Sequence, residues 1–248
     1  MPFDFQINVA IKKFSPNCLG RPLHVFLQYI ALLSDLRHSN LLHIFGSYTD
    51  EYCQPALVCE LSTLRSLVDI FNEPELRGSI TVMHLCKYAE QVANAMSYLE
   101  KRKIVHGDLA CRNLMLSSLC GNSQIKVADY GLLKALGVLM SGSSISQTPP
   151  SSSANSDDAN SISTDHSKLR LPVAWCAPET LHAVELTSSS DVWSYGVTLW
   201  EMFSYGQQPW NHLTASEVTI TTFLIILKCD NGALVNRPHR KIKAASSI

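Results

Sequence analysis

The sequence has eight cysteines, yet no two of them are spaced C-x-x-C, and no pair of histidines has helical metal spacing. Neither a structural zinc nor a disulfide-stapled secreted framework is expected. The first residues, MPFDFQINVAIKK, lack the apolar centre of a signal peptide. The one concentrated apolar run, FLIIL at 223–227, is far shorter than the roughly 20 residues that span a bilayer, so no transmembrane segment is expected. Charge of neither sign dominates: 20 Lys and Arg face 21 Asp and Glu, net −1, with basic residues gathered only at the extreme C-terminus. Nucleic acid is therefore not the expected partner. No internal repeat is present. Together these absences leave a reduced, cytoplasmic chain.

What is present is a globular composition, 46% apolar and 17% charged over 248 residues, which excludes disorder of the whole chain. INVAIKKF reads as a strand ending near Lys13, residues 22–37 as a helix, and LLHIFGSY and PALVCEL as two further strands. After Leu61 the period changes. Val82, Leu85, Cys86, Ala89, Val92, Ala93, Met96 and Leu99 recur at three and four, predicting one long helix capped by Thr81. A second helix follows TSSSD, apolar nearly all round through Val192, Trp193, Val197, Leu199, Trp200 and Phe203, and Gly206 is placed to end it. Such a helix is expected at the centre of a lobe. Ser141 to Ser167 is a Ser, Asn, Asp and Pro tract with too little apolar surface to offset its ordering entropy, so it is expected to be a disordered insertion.

Four short motifs carry chemistry. Lys12 ends VAIK, Asp108 and Asn113 lie in HGDLACRN, Asp129 opens DYG after the strand IKVA, and APE stands at 177–179. Phosphoryl transfer requires a cation on the nucleotide phosphates, oxygens for magnesium and an acceptor for the substrate proton, and these motifs supply them in the required order. Each residue alone has a plainer reading. Lys12 could be a solvated strand end and the Asx residues simple turn formers. His106 reads as a packed structural histidine, Trp193, Trp200 and Trp210 as core, and Cys59 and Cys111 as small apolar fillers, with Cys59 open to alkylation only if exposed.

With SDVWSYGVTLWEMFSYGQQPW following in register, the chain resembles the catalytic domain of a eukaryotic protein kinase. DLACRN and LPVAWCAPE resemble the tyrosine-specific type, and AWCAPE with the following helix is closest to the Ack family of non-receptor tyrosine kinases. The resemblance implies an α+β, bilobal fold: a small β-rich N-lobe, incomplete, over residues 1–61, and a larger, mainly helical C-lobe over 62–248. The C-lobe would hold the insert in its activation loop and a divergent segment at about 218–248. It implies a protein tyrosine kinase of intracellular signalling, with ATP and Mg2+ as cofactors and tyrosine-bearing proteins as substrates. SH3 and small-GTPase-binding regions would lie outside this chain.

Residue by residue, the resemblance implies that Lys12 holds the α- and β-phosphates, Asp108 accepts the tyrosine proton and Arg112 orients base and substrate. Asn113 and Asp129 would hold magnesium. Ala10, the gatekeeper Cys59, the hinge Glu60, Leu61 and Ser62, and Met115 would surround the nucleotide. Asp191 would brace the catalytic loop.

Several departures from the family pattern keep a rival open, a catalytically impaired pseudokinase or truncated interaction module. No G-x-G-x-x-G occurs in residues 1–12, and the chain is expected to be a fragment, an aberrant splice form or an incomplete gene model. No acid lies between Lys13 and Asp35; Tyr29 occupies the place of the glutamate that would pair with Lys12, so only a neutral bond from Tyr29 or Gln28 is expected. The arginine partner of Glu179 is missing, which would leave that glutamate buried and unpaired at about 3 kcal/mol. Gly107 replaces the arginine that reads a phosphorylated loop, and no tyrosine lies between Tyr130 and Trp175. Serines of the insert flank Asp157, Asp158 and Asp165 and are candidate regulatory targets.

Overall fold

A computed structural model describes residues 7–14, 19–51, 54–118, 123–137, 172–183, 185–222 and 224. The Ser-rich tract at 141–167, expected to be disordered, lies outside the described residues, as does FLIIL apart from Leu224 and nearly all of the remaining segment beyond 222. The architecture is mixed α+β: a small antiparallel sheet with one helix, joined to a larger, mainly helical part.

Strands β1 (Val9–Lys13), β2 (Ile44–Thr49) and β3 (Pro55–Glu60) form one sheet in the order β1-β3-β2. The register sets Ala10 opposite Cys59 and Lys12 opposite Leu57. Helix α1 (Leu23–Ser34) starts behind Pro22 and buries Phe26, Ile30 and Leu33, the spacing of a single helical face. It stops short of the expected 37 because Arg37 folds back, its guanidinium donating to the Leu36 carbonyl at 2.9 Å while its backbone N–H meets the Tyr98 hydroxyl at 3.1 Å.

Two short helices, α2 (Leu67–Asn72) and α3 (Pro74–Gly78), lead to α4 (Val82–Lys101). Thr81 caps α4 as expected, its hydroxyl accepting from the His84 N–H and the His84 ring accepting from the Thr81 N–H, a reciprocal capping arrangement. The buried stripe of α4 is Leu85, Tyr88, Val92, Ala95 and Leu99. Val82, 59% exposed, and the exposed Cys86 and Ala93 are not part of it. At about 100° per residue, 86 and 93 turn away from their neighbours 85 and 92, while Val82 stands in the first turn beyond the core's edge.

The chain then runs through loop 106–113 into the hairpin β4 (Leu114–Leu116) and β5 (Ile125–Val127), followed by α5 (Leu132–Leu136). Beyond the undescribed tract lie α6 (Pro178–Ala183), α7 (Ser188–Phe203) and a helix over 215–222, α8. Gly206 ends α7 as expected: at φ +81° its N–H reaches the Glu201 carbonyl at 2.8 Å, the left-handed closing of a helix C-terminus.

The orientation of α7 corrects the sequence reading. Val192 is 69%, Trp200 48% and Phe203 43% exposed, so Trp200 is not core, and Trp193 and Trp210 are only half buried. The inward face is instead the polar stripe Asp191, Ser194, Thr198 and Glu201, with Met202 beside it. The cause is what lies against it. Loop backbone brings N–H and C=O groups that need partners, and a polar stripe supplies them where an apolar one would leave them unpaired.

A second correction concerns Glu179. It stands exposed in the first turn of α6, where an acid suits the helix dipole, so no buried unpaired charge arises.

Candidate active site

Loop 106–113 is suspended from α7. The Asp191 carboxylate accepts from the His106 N–H at 2.7 Å and the Gly107 N–H at 2.9 Å. Burial raises the pKa of this acid, and the His106 side chain and the two N–H groups oppose the rise. Thr198 donates to the Leu109 carbonyl at 3.1 Å, and Glu201 accepts from the Cys111 N–H at 2.9 Å. His106 is buried as expected, its ring accepting from the Asp108 N–H at 3.1 Å. Gly107 has φ +82°, and a Cβ there would stand 2.8 Å from the Leu186 Cδ1. Besides removing a cation, glycine thus fits a left-handed backbone pressed against a leucine.

Asp108 is fastened on both carboxylate oxygens. Arg112 Nη2 forms an ion pair with Oδ1, and Asn113 Nδ2 donates to Oδ2 at 3.0 Å and to the Asp108 carbonyl at 2.6 Å. The Arg112 guanidinium also lies 4.6 Å from the centre of the Trp175 ring, a cation–π distance. Cys176, buried nearby, has its thiol pushed up to about 12 by burial and by the Asp108 carboxylate, with Arg112 opposing.

The hairpin carries the second acid to the first. The Asn113 carbonyl accepts from the Ala128 N–H at 2.8 Å, so Asp129, at φ +58°, follows directly beside the loop. Tyr130 is fully buried, donates to the Leu42 carbonyl at 3.0 Å and has its pKa raised chiefly by desolvation. Lys12 reaches across from the sheet to Asp129, Nζ to Oδ2 2.5 Å. The neutral bond expected from Tyr29 or Gln28 is not formed: Tyr29 packs its ring beside Gly131, and among the described residues the hydrogen-bond partner of Lys12 is Asp129.

Lys12, Asp108 and Asp129 line one cavity of about 200 Å³, closed by Phe14 and by Leu132, Leu133 and Leu136 of α5. Those leucines were not foreseen as part of the site. The six expected nucleotide contacts other than Lys12 are not among its walls. Ala10, two residues before Lys12 on β1, is paired with Cys59 of β3, the buried Cys59 thiol donating toward the Ala10 carbonyl at 3.7 Å, its pKa raised by burial and by Asp129 and lowered by Lys12. Burial makes Cys59 the filler that was expected, as it does Cys111, whose thiol is pushed well up by burial and by Glu201. Glu60 pairs with Lys126, accepts from the His43 N–H at 3.2 Å, and through its own N–H bonds the His43 carbonyl at 2.8 Å. Leu61 is half exposed, Ser62 donates to the Leu116 carbonyl at 3.2 Å, and Met115 lies half buried on β4. A larger cavity, about 330 Å³ between the 38–40 turn and α4, contains none of the motif residues.

A family model described as protein tyrosine and serine/threonine kinase matches residues 3–224. The chain belongs to this protein kinase family. Among curated relatives of this kinase chain, the Ack-related non-receptor tyrosine kinase of Caenorhabditis elegans is 38% identical over 212 residues, 86% of this chain and 18% of the relative. An activated Cdc42 kinase-like protein of Drosophila melanogaster is 37% identical over 86% of this chain and 14% of its own length. The human non-receptor tyrosine-protein kinase TNK1 is 33% identical over 100% of the chain and 33% of its own. The chain thus spans a third or less of the length of these relatives. The bilobal α+β fold implied by the motifs agrees with this membership.

Proposed function

We propose that this chain carries the phosphoryl-transfer site of an Ack-type non-receptor tyrosine kinase, transferring the γ-phosphate of ATP to tyrosine in protein substrates. The observation that carries the reading is the convergence of Lys12, Asp108 and Asp129 on one cavity, with Arg112 and Asn113 bonded to Asp108. These side chains come from the sheet, the loop and the hairpin, and a chain that merely satisfied its turns would not bring them together.

Asp108 is the acceptor for the tyrosine hydroxyl proton. Its two neighbours hold the carboxylate oriented, so that it meets the hydroxyl without first reorganising. Lys12 is the phosphate cation. Its present pair with Asp129 is part-exposed on both sides, 43% and 22%, and such pairs contribute about 0–1 kcal/mol, so phosphate oxygens can replace the carboxylate at little cost. Among the described residues, Asp129 Oδ1 and the Asn113 amide oxygen have no hydrogen-bond partner, while Asn113 Nδ2 is bound to Asp108. One carboxylate and one carbonyl-type oxygen suit Mg2+, which takes few protein ligands and completes its shell with phosphate and water. When bound, magnesium would neutralise charge on the transferring phosphoryl group. Ala10, Cys59, Glu60, Leu61, Ser62 and Met115 are assigned to the adenine side on family resemblance.

The present cavity, about 200 Å³, is below the roughly 300–1,000 Å³ usual for ligand sites and is lined by the three leucines of α5, whose withdrawal would widen it for the phosphates. The same reading takes residues 1–61 and 62–248 as the two lobes, places the protein in cytoplasmic signalling, and leaves SH3 and small-GTPase-binding regions to segments outside this chain. No helix among the described residues is long and apolar enough to cross a membrane.

Nucleotide binding is tested by thermal unfolding with and without Mg-ATP. At 100 times its dissociation constant a ligand adds about 2.7 kcal/mol. An upward shift lost in Lys12→Met and Asp129→Asn supports the assignment; no shift in the parent chain refutes it.

A further inference from the structure

The last turn of α7 carries a carboxylate in an unfavourable place. Glu201 is 3% exposed and forms no ion pair among the described residues. It also sits at the negative end of the helix dipole, where an anion is disfavoured. What compensates are two N–H donors that converge on the same oxygen, Oε2: the Cys111 backbone N–H at 2.9 Å and the Trp175 indole Nε1–H at 2.9 Å.

Both donors belong to the site. Cys111 directly precedes Arg112, and the Trp175 ring lies under the Arg112 guanidinium at 4.6 Å. Arg112 in turn pairs with Asp108. An indole that donates to a carboxylate is more electron-rich on its face, which strengthens the cation–π contact above it. Ser194 on α7 fixes the other side of the same residue by donating to the Trp175 carbonyl at 2.8 Å, and Trp210 donates to the Ala174 carbonyl at 3.2 Å. The segment before APE is thereby held against α7.

We propose that Glu201 is a positioning residue for the tyrosine substrate, its Oε2 holding the Trp175 indole under Arg112 and so fixing the Arg112 guanidinium, which orients base and substrate, against Asp108. This rests on the tyrosine kinase reading above. Glu201 touches no reacting atom; it acts through Trp175 and the Cys111 backbone. Lys12 and Asp129 lie outside this chain of contacts, so the ATP side should be insensitive to it.

The test uses the full chain with Glu201→Leu, Glu201→Gln, Trp175→Phe and the double variant Glu201→Leu/Trp175→Phe. Glu201→Leu should raise KM for a tyrosine peptide about tenfold while KM for ATP stays within about twofold. Glu201→Gln can place its amide oxygen where Oε2 stood and should recover most of the loss. The double variant should be no worse than the worse single change, because the two residues act in series. Equal changes in both KM values, or effects that multiply in the double variant, would overturn the proposal. If Glu201→Leu does not fold, Trp175→Phe decides alone: an unchanged peptide KM overturns it, and a rise of about threefold or more supports it.

An independent readout does not need activity. The four tryptophans give four indole signals in a 1H–15N spectrum, and Trp175→Phe identifies the one concerned. Its hydrogen exchange should accelerate about tenfold or more in Glu201→Leu. No acceleration overturns the anchoring whether or not the chain transfers phosphate. Acceleration in a chain without transfer would instead locate the failure in the kinase reading.

Discussion

Replacing Asp191 by alanine should release loop 106–113 from α7. The buried carboxylate is the partner of two buried backbone N–H groups, His106 at 2.7 Å and Gly107 at 2.9 Å. Each donor left unpaired costs about 1–3 kcal/mol, so the loss is about 2–6 kcal/mol against a total domain stability of about 5–15 kcal/mol. Taking about 4 kcal/mol and a urea slope of about 2 kcal/mol/M, the unfolding midpoint should fall by about 2 M. Asp191→Asn should fall by less, because one carbonyl oxygen still accepts while the amide N–H faces the second donor. The pH dependence has a definite sign. Burial raises the pKa of Asp191 in the folded chain above its ordinary value, so protonation favours the fold: the contribution is fully present below the unfolded pKa and is lost as pH rises through the folded one. The margin of the parent over Asp191→Asn should therefore be wider at acid than at neutral pH. A midpoint for Asp191→Ala within about 0.5 M of the parent would refute the reasoning, because two buried donors cannot lose their acceptor at no cost.

Gly107→Ala should cost about 1–3 kcal/mol in a thermal melt, since φ is +82° and the new Cβ would meet Leu186 at 2.8 Å. Adding Leu186→Ala should relieve only the steric part. Leu133→Ser should destabilise by about 2–4 kcal/mol yet lower KM for ATP, because Leu133 closes the cavity beside Lys12 and Asp108; a KM that is unchanged or higher would contradict the closing role of α5. Trp200→Gln should change stability by less than about 0.5 kcal/mol and Met202→Ala by about 2–5 kcal/mol, as their exposures of 48% and 0% require. The reverse order in urea titrations would restore the apolar-inward orientation of α7.

Much of the site was legible because its chemistry is carried by short motifs whose members act together across the fold. VAIK, HGDLACRN and DYG supply Lys12, Asp108 and Asp129, which line one cavity, and Asn113, which bonds to Asp108. Elements were legible where periodicity reports burial against an apolar core, as with Phe26, Ile30 and Leu33 in α1 and the Thr81 cap of α4. The same rule failed in α7, whose inward face meets loop backbone and is therefore polar. Its signal was present in DVWSYGVTLWE as Asp191, Ser194, Thr198 and Glu201 at intervals of three, four and three. The sequence also showed that no acid in α1 could reach Lys12, but not that Asp129 would take its place. That depends on where β5 and the left-handed turn at Asp129 carry the carboxylate. The three leucines of α5 gave no warning either, because a five-residue helix is too short to show a period.

The central claim is that Asp108 accepts a tyrosine proton during transfer of phosphate from Mg-ATP. Its most direct test is magnesium-dependent labelling of an acidic, tyrosine-containing polymer by the chain and by Asp108→Asn, with phosphoamino-acid analysis of the product. The account predicts phosphotyrosine from the parent and a loss of at least about a hundredfold in the variant. Labelling confined to serine, labelling untouched by Asp108→Asn, or none from the folded parent would contradict it.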